Sequence, residues 1–263
     1  MSRKSLVAAA ILLSLFCSQA LAEDPPGQIE TRYRIYTHGF HVADAEANYR
    51  LLPWGYGIQT HLTAGGLLGW LVRMDINTTA SGKFEGQNIV PLQYDSRGYS
   101  RGTQRHIAMS YRDHTPVITA LSPEESDREP VGDDLRHGTI DTLSAAALLI
   151  NSMQKDGKCN GSANVFDGLR LTAMEAHGPF SAALPDGMAE FMKGPVLRCD
   201  FSGHQIAGFV KDSRHLDQWK AVHPGAAWFE NFPGIGLVAV RVEFEHPKIG
   251  KLTAILESPP KKF

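Results

Sequence analysis

The sequence predicts an α+β fold, mainly β, in which antiparallel strands accompany one main helix. Three observations predict it. From Gln28 to Leu121 apolar residues alternate with polar ones in short runs broken by Gly, Asn and Asp, the pattern of antiparallel hairpins. One stretch, "TIDTLSAAALLINSMQKDG", changes to helical spacing. After it the β pattern resumes, without the strand–helix rhythm that builds a doubly wound sheet.

The chain opens with "MSRKSLVAAAILLSLFCSQALAED". Arg3 and Lys4 precede an apolar run from Leu6 to Cys17, and Ala20-Leu21-Ala22 supplies a small-x-small site. This reads as a secretory signal over residues 1–22, cleaved after Ala22. The run is short for a membrane span, and Leu15 and Phe16 do not suit lipidation at Cys17. Residues 23–263 are then expected to form a single β-rich domain.

In "TRYRIYTHGFHVADAEANYRLL" Tyr33 and Ile35 share one face and Arg32 and Arg34 the other, with a turn at His38-Gly39. Two further strands meet near Gly65-Gly66, the second running from Trp70 into the seventies. Gly98 and Gly102 punctuate shorter strands that follow. "SPEESDREPVGDDLRHG" (122–138) is polar and acidic and reads as a surface loop. In the helix, Leu143, Ala146, Ala147, Ile150 and Met153 mark the apolar stripe. Thr139 or Asp141 caps its start, and Gly157 suits its end. The clearest hairpin comes last: Val238, Val240, Val242 and Phe244 alternate with Arg241, Glu243 and Glu245 before a turn at Pro247–Gly250.

The formal net charge of −2, with no basic stripe, argues against a nucleic-acid partner. Membrane contact is expected to be peripheral at most. Beyond the leader only Cys159 and Cys199 remain. Two cysteines cannot complete a tetrahedral zinc site, and their spacing is unlike a CxxC redox pair. A structural disulfide is the favoured reading, with two free or intermolecular thiols as the other.

No catalytic residue, metal ligand or cofactor is assigned. His38, His41, His61, His106 and His114 fall into no metal-ligand spacing, and no GxSxG elbow occurs. Ser144 is explained by helix packing. Asp141 and Asp167 could act as an acid/base pair, but a helix cap and an Asp-Gly turn account for them locally. Candidate ligand contacts are Leu68 and Trp70 in "GGLLGWLVRM", with Trp228 and Phe232 at a groove mouth. Core or satellite packing is the competing reading for all four.

Four stretches, "YRIYTHGFHVADAEANYRL", "IDTLSAAALLI", "CNGSANVFDGLR" and "CDFSGHQIAGF", together resemble the exported bacterial family known as domain of unknown function 3108. The resemblance implies location and architecture, and no activity. At fold level the pattern is also similar to periplasmic lipoprotein carriers. That similarity implies a curved, half-barrel-like sheet wrapped around the helix, with an apolar concave side. The expectation is an exported periplasmic protein that binds a lipid, a lipidated segment or an envelope protein without catalysis, in envelope maintenance. The alternatives are an envelope hydrolase using clustered Asp and His, and a scaffold pairing through a sheet edge.

Overall fold

The computed structural model describes residues 27–66, 69 and 73–263. Seven strands come first: β1 (Ile29–Thr37), β2 (Phe40–Leu52), β3 (Gly55–Ala64), β4 (Asp75–Glu85), β5 (Asn88–Ser100), β6 (Thr103–Arg112) and β7 (Thr115–Ser122). Helices α1 (Asp133–Arg136) and α2 (Thr142–Asp156) follow. Then come β8 (Gly161–Phe166), β9 (Leu171–Ala182), β10 (Val196–Ala207), α3 (Leu216–Lys220), β11 (His223–Phe232), β12 (Gly236–His246), β13 (Gly250–Leu256) and β14 (Lys261–Lys262).

All strands join one antiparallel sheet in the order β7-β6-β5-β4-β3-β2-β1-β13-β12-β11-β10-β9-β8, with β14 beside β1. Each half is a meander of hairpins, and β1 meets β13 at the seam. Two-residue loops join most hairpins of the first half. His38-Gly39 and Arg101-Gly102 have positive φ at both positions, as a tight hairpin turn requires. The turns at His38-Gly39 and Pro247–Gly250 stand where the sequence places them. β4 begins at Asp75, and the start expected at Trp70 lies outside the described residues.

α2 is the long helix of the sequence reading. Asp141 caps it by accepting from the Ser144 amide at 2.8 Å, and Gly157 ends it in the left-handed region. Thr139, the other candidate cap, instead donates its hydroxyl to the Arg136 carbonyl. α2 lies against β3, β4, β5, β8 and β12, with Ala147 and Met153 buried. Strand pairing does not close the sheet. Residues 123–141 run between the edges β7 and β8, bridging Ile140 to Val165 and Arg128 to Val210. The acidic stretch expected as a loop is therefore pinned: Glu129 donates to the Phe209 carbonyl and Lys211 to that of Asp127.

Three apolar clusters hold the molecule. One joins Tyr49, Tyr56, Ile58, Phe84, Tyr94, Met109 and Phe166 to Ala147 of α2. A second surrounds the Cys159–Cys199 disulfide with Met153, Ala227 and Phe229. The third packs Trp228, Val238, Val240 and Leu256 under Met188, Phe191 and Met192 of the β9–β10 connection. Each large side chain so buried contributes roughly 1.5–3 kcal/mol. The last hairpin departs from strict alternation. The β11–β12 register shifts between Trp228 and Phe229, so Val242 joins the disulfide cluster while Val238 and Val240 join the third. A β-bulge inserts one unpaired residue and flips the faces beyond it.

Candidate functional site

At the end of the sheet where the β5–β6 and β8–β9 turns meet the segment after β7, a cleft of about 210 Å³ opens. Ile76, Tyr94 and Ile107 form apolar parts of its lining, and Ser96, tied to Thr78 at 2.9 Å, adds a hydroxyl. Position 98 in β5 requires glycine, because a Cβ there would strike the Asp75 carbonyl and its φ of +156° disfavours other residues. Five arginines line the cleft with two carboxylates.

Local structure sets most of these groups. Asp167 accepts from the backbone amides of Leu169 and Arg170 at 2.9 and 2.6 Å, the turn the sequence predicts. Its other oxygen holds the Arg170 Nε at 3.0 Å. Glu125 is shared: Arg105 reaches one oxygen at 2.8 Å and Arg128 the other at 2.9 Å. Burial pushes the Glu125 carboxyl up, but the hydrogen bonds from Arg105 and Arg128 outweigh it and hold it below the usual range. Arg97 makes a two-point contact with Asp95 at 2.7 and 2.6 Å, and this contact holds Asp95 low.

Arg101, at the tip of the β5–β6 hairpin, meets no carboxylate among the described residues. Partial burial, with repulsion from Arg105, Arg170 and Arg128, lowers its pKa from the ordinary arginine value. Arg105 also carries a buried Nε with no hydrogen-bond partner. Beside the cleft, Arg170 and Lys248 each lie over the ring of Trp219 in α3, both at 5.8 Å. His246 meets Trp219 edge-on, and burial together with Arg170 and Lys248 lowers its pKa.

Of the residues singled out in the sequence, Asp167 lines this cleft, while Trp228 and Phe232 lie elsewhere. Leu68 and Trp70 fall outside the described residues. Trp228 is buried, with the guanidiniums of Arg198 and Arg241 at 5.1 and 5.9 Å from its ring. Phe232 is half-buried in the same cluster. Cys159 and Cys199 are bonded, with Cα atoms 6.1 Å apart. His41, His61 and His106 each face a different carboxylate, from Asp44, Asp75 and Asp95. Among the described residues no three His, Cys, Asp or Glu side chains gather as a metal site would need.

Asp141 has a second role beside its cap. It is fully buried, and Ser144 Oγ donates to its Oδ2 at 2.5 Å, with Tyr111 donating at 3.3 Å. Tyr56 lies 2.5 Å from Ser144 Oγ. Burial raises the Asp141 pKa despite these bonds. Together these bonds fix the start of α2.

The arginine cleft escaped the sequence reading. The signal available was the spacing of "RGYSRGTQR" (97–105), which sets three arginines on one hairpin.

No curated protein matches the chain. A solved structure, the beta-barrel-like protein of domain of unknown function DUF1849 from Brucella abortus, is similar in fold, with a TM-score of 0.52 at 11% identity. The likeness covers 90% of this chain and 98% of that one. A family described as "Protein of unknown function (DUF3108)" matches residues 32–177, a stretch that contains all five cleft arginines and both carboxylates. Since that match takes in more than half of the sequence, the chain belongs to the DUF3108 family.

Proposed function

We propose that this is an exported, non-enzymatic binding protein of the bacterial envelope, and that its arginine-lined cleft takes the anionic part of its ligand. In this reading the curved sheet wraps around α2, whose side chains fill the interior. Recognition then belongs to the polar mouth rather than to an apolar groove. The ligand is an envelope component with a negatively charged end, such as a lipid or a lipidated segment. A signal over residues 1–22 would deliver the chain to the periplasm, where a disulfide is stable.

The observation that carries this reading is the excess of guanidinium over carboxylate in a concave site. Guanidiniums pair with carboxylates and phosphates in two-point geometry, and they keep their charge at any pH the envelope meets. Native mass spectrometry of the protein released from the bacterial envelope, with extraction of what travels with it, tests the proposal. The expected result is an anionic adduct that Arg105→Gln loses. A protein that carries no adduct, and whose melting temperature no anion shifts, refutes it.

A further inference from the structure

The charge balance of the cleft points to a more specific ligand, and this step rests on the binding reading above. Arg97 is neutralised by Asp95, and Arg170 by Asp167. Glu125 serves Arg105 and Arg128 together, so one negative charge faces two positive ones. Arg101 makes no ion pair with a carboxylate among the described residues, and the nearby Glu125 is already shared by Arg105 and Arg128. Two positive charges are therefore left over, from Arg101 and from the Arg105–Arg128 pair. From this balance we infer that the cleft binds a dianionic phosphate, a phosphomonoester, against Arg101 and the Arg105–Arg128 pair.

Three further features agree. Arg105 Nε is buried without an acceptor, a donor that a phosphate oxygen would satisfy. The cleft is of a size for a small headgroup, and Gly98, Ser96 and Ser100 line it without bulk. Arg101 occupies a turn position at φ +52°, where Gly or Asn is the less strained choice. A carboxylate or a phosphodiester brings a single charge and would leave one guanidinium without a counter-charge.

Calorimetric titration of the full chain tests this with methyl phosphate, dimethyl phosphate and acetate, at pH 7.5 and 5.0. At pH 7.5 methyl phosphate should bind on the order of tenfold more tightly than either monoanion. At pH 5.0 its advantage should shrink about tenfold, because the second phosphate pKa is near 6. Dimethyl phosphate keeps its charge over this range. It therefore reports what Asp95, His106, Glu125, Asp167 and His246 contribute by their own titration. Arg101→Gln should level the three ligands while leaving the near-ultraviolet circular dichroism unchanged, and Arg101→Lys should keep part of the preference.

Vesicles identify the source of the phosphate. Retention by phosphatidate vesicles over phosphatidylglycerol vesicles assigns it to a lipid. Binding of methyl phosphate without such retention assigns it to a soluble phosphomonoester, and both outcomes support the dianion. Equal binding of methyl phosphate, dimethyl phosphate and acetate overturns the dianion but leaves the broader anion reading standing. Binding of none of them overturns both.

Discussion

Reducing the Cys159–Cys199 bond should weaken the fold by a calculable amount. The bond closes a loop spanning 40 positions. Chain entropy alone then gives a stabilisation of about 4 kcal/mol at 25 °C. Both sulfurs are buried beside Met153 and Phe229, so their packing persists in the reduced chain and the difference isolates the cross-link. Urea unfolding of the oxidised and reduced protein, followed by tryptophan fluorescence, measures it. The oxidised midpoint should lie well above the reduced one. The reduced chain should also show the larger denaturant slope, because its unfolded state is less constrained. Cys159→Ala with Cys199→Ala adds the loss of two buried sulfurs and should fall slightly below the reduced wild type. A gap between oxidised and reduced protein under about 1 kcal/mol would refute the entropic account.

Asp141→Ala should cost roughly 2–4 kcal/mol in urea unfolding, since it removes the cap and strands the Ser144 and Tyr111 hydroxyls. Asp141→Asn should cost less, and its deficit should narrow as pH rises above 3.8: the folded wild type still holds a proton that the unfolded chain has released, so wild-type stability falls through that window. Glu125 has the opposite sign. Its lowered pKa gives stability that is present above about 4.5 and lost as pH falls through the folded value, so Glu125→Gln should flatten the acid limb of the stability curve. The same variant should bind anions more tightly by calorimetry, because it removes the negative charge shared by Arg105 and Arg128. The His246 ring should titrate by NMR with a midpoint below 6.5, and an anion in the cleft should raise it by offsetting Arg170 and Arg101.

Features written in a few adjacent residues were legible in the sequence. The turns at His38-Gly39 and Asp167-Gly168 follow from local chemistry, and so does the Asp141 cap. The disulfide was legible because Cys159 and Cys199 are the only two cysteines after Cys17. Features set by distant contacts were not. Arg97, Arg101 and Arg105 lie on one hairpin, and nothing local announces that residues 125–129 cross to Phe209–Lys211 and bring Arg128 and Glu125 beside them. Trp228 reads either as a groove aromatic or as packing, and its buried place is set by the β9–β10 connection, distant in sequence. The alternation of Val238, Val240 and Val242 ends at a bulge that no local residue type announces.

The seam between β1 and β13 also dictates when the sheet can be finished. Thr37 is bonded to Ile249 across 212 positions, so one flank of the earliest strand has no partner until the closing residues exist. At about 5–20 residues per second, a ribosome takes roughly 10–40 s to supply them. Throughout that interval the nascent polypeptide offers a bare row of amides and carbonyls to any neighbour able to add a strand. A chaperone that shields β1 during that interval would cover this row. Translation stalled before residue 250 would leave that row without its β13 partner.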